Sequence, residues 1–299
     1  MRRLDWLTAE ADASLLRVTV NVLIPCLILE SILGNAALEK AGNVLLAPLV
    51  GFGTVVLGIA LAWPLAKLGG LPEAKARRTF ALATGIYNYG YVPLPLALAL
   101  FDRETAGVLF VYNVGVEAAL WTFGLYVLRG DPLRSSWRKI FTPPLAFIAL
   151  ALALNFSGLE KILPGSAMTA AKVLSSAIKM LGQCAIPLGL VLIGATIADH
   201  ARGGVGAHSA RVIAAASFVR MGILPVIFLL LAKFLPVSVE LKRVIVLQAA
   251  MPAAVFPIVM AKHFGGDIAT ALRVVIGTSL VGFVTIPLWV RFGMKFVGL

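Results

Sequence analysis

Amide and proline residues stand together at two places inside apolar stretches, Asn88 to Pro95 and Gln248 to Pro257. Proline lacks the N–H that a helix needs from it, so each group should break its helix. In hydrocarbon an unmade backbone hydrogen bond costs several kcal/mol, and a broken helix survives there only where it lines a cavity or is covered by protein. A break also exposes half-helix N-termini, whose free N–H groups and partial positive charge suit a carboxylate. Asn88 brings a donor and an acceptor to the first break and Gln248 to the second. Gly90 permits unusual backbone angles, Pro93, Pro95, Pro252 and Pro257 make the breaks, and Met251 reads as a pocket wall. Gln183, three residues before Ile186-Pro187, is a further lining candidate.

An ionisable group within an apolar run is a functional candidate in its own right. Glu117 lies four residues after Asn113, so both share one helix face, and a desolvated carboxyl there can load and release a proton. Glu30 is a second, more peripheral candidate. Tyr87, Tyr89 and Tyr91 read as packing or interface aromatics, one of which faces the site. Lys172 and Lys179 read as snorkelling residues, and Arg220 and Arg273 as boundary residues or a balance for an anion.

Catalytic and metal constellations are not apparent. The apolar runs hold no histidine, no carboxylate pair and no nucleophile beside a base, which argues against an enzyme. Cys26 and Cys184 are the two cysteines, both within apolar runs, and read as small packing residues. His200, His208 and His263 sit near helix ends, a poor arrangement for zinc. No cofactor and no metal are expected.

The elements that carry these residues follow from composition. The 299 residues are 60% hydrophobic and 13% charged, with a mean hydropathy of +0.95, which places the chain in a lipid bilayer. Nine apolar runs fall near 18–34, 44–66, 79–101, 105–128, 143–156, 173–198, 212–235, 244–262 and 274–294. The expected fold is all-α and polytopic. The net charge of +12 is spread over short loops instead of gathered into one stripe, so a nucleic-acid partner is not expected. Lys and Arg, among them Arg2, Arg3, Lys75, Arg77, Arg78, Arg129, Arg134, Arg138, Lys139 and Arg202, crowd the loops on the N-terminal side. The poorer side has Lys40, Arg103, Lys161, Lys233 and Arg243. That bias puts the N-terminus in the cytoplasm of a bacterial inner (plasma) membrane.

A repeat organises the nine runs. Pro25 and Pro187 lie 162 residues apart, as do Pro95 and Pro257, and Pro64 and Pro225 lie 161 apart. The offset carries runs one to four onto six to nine, five spans on, so the second copy is inverted. The first copy, 1–139, has four helices, and the second, 140–299, has five. The opening helix of a ten-helix protein is thus expected to be missing, and Met1 to Arg17 reads as the loop after it.

Asn88-Tyr-Gly-Tyr-Val-Pro93-Leu-Pro95 and Met251-Pro252-Ala-Ala-Val-Phe-Pro257-Ile-Val-Met-Ala261-Lys262 resemble the two crossovers of the auxin efflux carrier family, which includes bacterial organic-acid permeases. Val22-Leu-Ile-Pro25 and Gly189 to Asp199 are similar to other stretches of it. The resemblance implies ten helices in two inverted five-helix repeats and a substrate held where two broken helices cross. It also implies a homodimer and transport of small organic anions, mono- or dicarboxylates of an auxin-like or malate-like kind. Coupling to protons, or none, is favoured because neither crossover holds an acidic residue to compensate a metal cation. The rival readings are a sodium-coupled symporter, as in the bile acid symporters on a similar scaffold, and an anion channel.

Overall fold

The computed structural model describes residues 7–130, 143–157, 165–200 and 207–299. The expected repeat boundary at 139/140, the loop cations Arg2, Arg3, Arg134, Arg138, Lys139, Lys161 and Arg202, and the side chains of His200 and His208 lie outside them. The described chain is all helical and polytopic, and five of its helices are long and apolar enough to cross a bilayer.

The chain begins with α1 (Ala9–Val18), which passes through a π-type turn (Thr19–Leu23) into α2 (Ile24–Ile32). The loop expected over Met1 to Arg17 is therefore helical from Ala9. Thr8 accepts the Ala11 N–H at 3.2 Å, and Glu10 and Asp12 place negative charge at the positive end of the helix. A short α3 (Ala36–Glu39) leads to α4 (Ala41–Leu65).

The third apolar run is split. Its halves are α5 (Ala74–Gly85) and α6 (Pro93–Leu100), with seven non-helical residues between them. Then come α7 (Arg103–Ala119), which runs through another π-type turn into α8 (Leu125–Arg129), and after it α9 (Pro143–Ser157) and α10 (Gly165–His200). α11 (Ala207–Ser217) passes through a third π-type turn (Phe218–Ile223) into α12 (Leu224–Phe234). The eighth run splits like the third, into α13 (Val239–Ala250) and α14 (Phe256–His263), and α15 (Ile268–Val297) closes the chain.

The two broken runs end alike. Asp102 caps α7 by accepting the Thr105 N–H at 2.8 Å, and Asp267 caps α15 by accepting the Thr270 N–H at 3.1 Å. Both second helices thus start from an Asp that satisfies first-turn N–H groups. Thr79–Gly85 at the end of α5 and Val244–Ala250 at the end of α13 are buried on every side. Large apolar side chains such as Leu45, Leu49, Leu280, Phe283 and Leu288 are exposed instead on the long helices, where the bilayer replaces water.

α4 is the spine against which both α5 and α7 pack. Backbones meet there through glycine. A Cβ on Gly115 would stand 1.7 Å from the Pro48 carbonyl, and one on Gly58 2.6 Å from the Gly85 carbonyl. Small residues let helices approach closely where no hydrophobic effect drives them together. Gly115→Ala should force α4 and α7 apart at a cost of about 1–3 kcal/mol, lowering the thermal midpoint of the purified protein by several degrees. Gly53→Ala, where a Cβ meets nothing within 4 Å, should leave it in place.

Candidate functional site

The two non-helical links cross and pair with each other. Asn88 donates its N–H to the Pro252 carbonyl at 2.8 Å, and Ala254 returns one to the Ile86 carbonyl at 3.0 Å. Tyr87 and Ala253 thus form an antiparallel bridge, and Ala253 donates its own N–H to Thr278 Oγ1 of α15 at 3.1 Å. The backbone groups that the breaks set free are satisfied partly by the opposite break and partly by side chains of the surrounding helices.

Side chains from three helices hold the link after α5. The Tyr89 carbonyl accepts Asn113 Nδ2 of α7 at 2.8 Å and Gln248 Nε2 of α13 at 3.2 Å. Thr54, Tyr87 and Tyr112 bring their hydroxyls into a triangle of 2.7, 2.7 and 2.8 Å that ties α4 and α7 to the crossing. Tyr87 and Tyr112 are therefore structural, and Tyr91 covers Gly189 of α10.

Several polar groups remain unused. Asn88 Oδ1 accepts the Val92 N–H at 3.4 Å, capping the start of α6, while its Nδ2 binds no protein group among the described residues. Nothing lies within 4 Å of where a Cβ on Gly90 would stand, so the backbone there faces open space. Gln248 Oε1 and Asn113 Oδ1 are buried without partners among the described residues. Pro93, Pro252, Pro257 and Met251 are buried in the two links and the starts of their second halves, and Pro95 is half-buried. Both α6 and α14 aim their N-terminal ends at the crossing.

Asn113 and Glu117 line a cavity of about 20 Å³ between α7 and α9, closed by Val114, Pro144, Leu145 and Ile148. It is large enough for one water molecule. Tyr89 and Tyr91 stand within electrostatic reach of Glu117. Glu30 does not share this place. Its carbonyl accepts the Arg103 guanidinium at the first turn of α7, about 20 Å along that helix from Glu117. Gln183 is exposed on α10 beside Gly182, which packs against Cys26 and Leu27, and no described contact brings it to the crossing.

From sequence Arg220 is a boundary residue or a balance for an anion, and the structure rules out the first. Arg220 is fully buried beneath the crossing, donating from Nε to the Met251 carbonyl at 2.9 Å and from Nη2 to the Gln248 and Ala249 carbonyls at 3.1 and 3.4 Å. The rings of Tyr87 and Phe228 flank the guanidinium at 5.0 and 5.3 Å.

A sequence profile described as membrane transport protein matches residues 2–134 and 131–290. The chain belongs to the auxin efflux carrier family. It is also similar to a protein of Methanothermobacter thermautotrophicus (strain Delta H) named as an uncharacterized transporter, with 28% identity over 284 residues that cover 94% of this chain and 89% of that one. This auxin efflux carrier family member is a membrane transporter.

The two faces of the transporter differ. At one, Arg243 of α13 binds Asp102 at 2.6 Å and lies over the Phe101 ring, joining the end of the first broken run to the start of the second. At the other, Lys75, Arg78 and Arg129 surround a hollow of about 380 Å³ floored by Leu128, Phe264 and Gly265. Burial works to raise the Asp102 carboxyl, but the bonds from Thr105 and the Arg243 guanidinium outweigh it and hold the group below its ordinary 3.8. With the folded-state value depressed, the contribution of Asp102 to stability is complete above pH 3.8 and is lost as pH falls through that lower value. Asp102→Asn should flatten the acid limb of the thermal midpoint plotted against pH; an acid limb identical to wild type counts against the clamp.

Proposed function

We propose that the chain is a secondary transporter of small organic anions, mono- or dicarboxylates, that binds them at the crossing and moves them by alternating access with Glu117 carrying a coupling proton. The observation that carries the reading is the unused Asn88 Nδ2 beside the open space at Gly90, with the N-termini of α6 and α14 directed to the same point. A carboxylate there would accept from Asn88 and lie in the positive ends of two half-helices.

Alternating access is supported by the asymmetry of the faces. The Asp102–Arg243 pair closes one end of the crossing, and the basic hollow at the other raises the local concentration of an anion. The richer share of Lys and Arg on its side supports an orientation with that hollow in the cytoplasm and the clamp outside, in a plasma membrane. Glu117 lines the water-sized cavity beside Asn113, whose amide holds the Tyr89 carbonyl of the crossing, and a water there would give its carboxyl a partner for proton exchange. A saturable carrier, not a channel, fits a site that is closed at one face.

Proteoliposome uptake of labelled small carboxylates tests the reading. Wild-type protein should show saturable, counter-flow-stimulated uptake driven by an imposed pH gradient. Asn88→Ala should weaken it about tenfold to a hundredfold, as loss of a charge-assisted hydrogen bond does. Flux that rises linearly with the gradient and never saturates would refute the carrier.

Glu117→Gln keeps the shape of the carboxyl but not its titration. Counter-flow exchange should persist in this variant while the response to a pH gradient disappears. Unchanged pH-driven uptake would remove Glu117 from the coupling.

A further inference from the structure

We infer that Arg220 is a built-in cation that occupies the seat where a coupling sodium ion would bind, so that this transporter needs no metal cation at the crossing. The last carbonyls of a half-helix have no partners within the helix and carry its partial negative charge. In transporters with broken helices, such ends and the unwound carbonyls beside them coordinate sodium or protons. Here the group is Gln248, Ala249 and Met251 at the end of α13, and all three carbonyls accept from the one guanidinium. Two ring faces cover its sides, and no carboxylate pairs with it among the described residues. The positive charge is balanced by the carbonyl dipoles and by aromatic quadrupoles, as that of a bound metal ion would be.

The local fold is arranged to deliver this side chain. Arg220 lies in the π-type turn Phe218–Ile223, ahead of Pro225. The Met221 carbonyl is taken up by Trp289 Nε1 at 2.7 Å. The first copy of the repeat has no such device. On the 161-residue offset of these two runs its counterpart is Ile59, which with Gly58 packs its backbone against Gly85 at the end of α5. One half-helix end is thus covered by close backbone packing and the other by a guanidinium.

The consequence for transport rests on the carrier reading above, but occupation of the seat does not, and thermal unfolding of purified protein reads it without any substrate. The wild-type midpoint should be the same in sodium chloride and in choline chloride at equal ionic strength. Arg220→Ala should unfold at lower temperature, and millimolar guanidinium should raise its midpoint back, with sodium doing so more than choline. Arg220→Lys, which keeps a tethered cation, should fall between the two and stay insensitive to sodium. A wild-type midpoint raised by sodium overturns the inference, and so does an Arg220→Ala protein that responds to neither ion. Where Arg220→Ala yields no folded protein, sodium sensitivity of Arg220→Lys or of wild type overturns it and insensitivity of both supports it. Uptake driven equally well in sodium and in choline is the expected transport result. Thermal responses as expected with no carboxylate uptake would fault the carrier reading and leave the seat assignment standing.

Discussion

The structure depends on one constraint: a backbone group at membrane depth must find a partner other than water. Two runs of this chain stop being helical in mid-bilayer, and each stop releases carbonyls from one half and N–H groups from the other. The prolines reduce the debt on the donor side, since Pro93, Pro252 and Pro257 have no N–H to satisfy. The rest is settled by the crossing itself, through Asn88 to Pro252 and Ala254 to Ile86, and by Thr278, Asn113, Gln248 and Arg220. Each break therefore leans on the other for part of its backbone bonding.

The same accounting explains why the polar residues of the interior cluster where they do. The amides of Asn113 and Gln248 spend their donors on one Tyr89 carbonyl, and their oxygens are left over. The three hydroxyls of Thr54, Tyr87 and Tyr112 satisfy one another, and so leave Tyr87 free to present its ring to Arg220. Glycine serves the complementary need. Where α4 meets α5 and α7, contact is made by backbone, which leaves no gap beside the broken run for lipid to enter.

Much of this was legible in the sequence. Prolines beside an amide in apolar runs, recurring at one offset, announce paired breaks, and the i to i+4 spacing of Asn113 and Glu117 put both on the face that lines the small cavity. What was not legible depended on contacts distant in sequence. A lone arginine in an apolar run reads as a boundary residue, because nothing in its neighbourhood reveals that a π-type turn rotates it toward carbonyls 28 to 31 residues on. The hydroxyl triangle joins three runs that carry no mutual signature. The helical start at Ala9 was hidden because its first turn, after the Thr8 cap, is acidic and reads as loop by residue type. Glu30 and Gln183 look like Glu117 and Gln248 by type and differ only in where packing leaves them.

The arrangement also bears on how the molecule could move. With their links hydrogen-bonded to each other, α5, α6, α13 and α14 cannot separate at the crossing without exposing unpaired backbone to hydrocarbon, so they must travel as one body. α4 is locked to α5 and α7 by glycine contacts and moves with that body. α10 instead packs along α2, with α9 on the other side of α2. Its tie to the links is the Tyr91 ring lying over Gly189, an apolar contact that can slide at small cost. The open space at Gly90, one residue from Tyr91, therefore lies beside the seam between the two groups of helices. A displacement along that seam would change the surroundings of a bound anion while leaving the hydrogen bonds of the crossing intact, which is the requirement that alternating access places on a site built from broken helices.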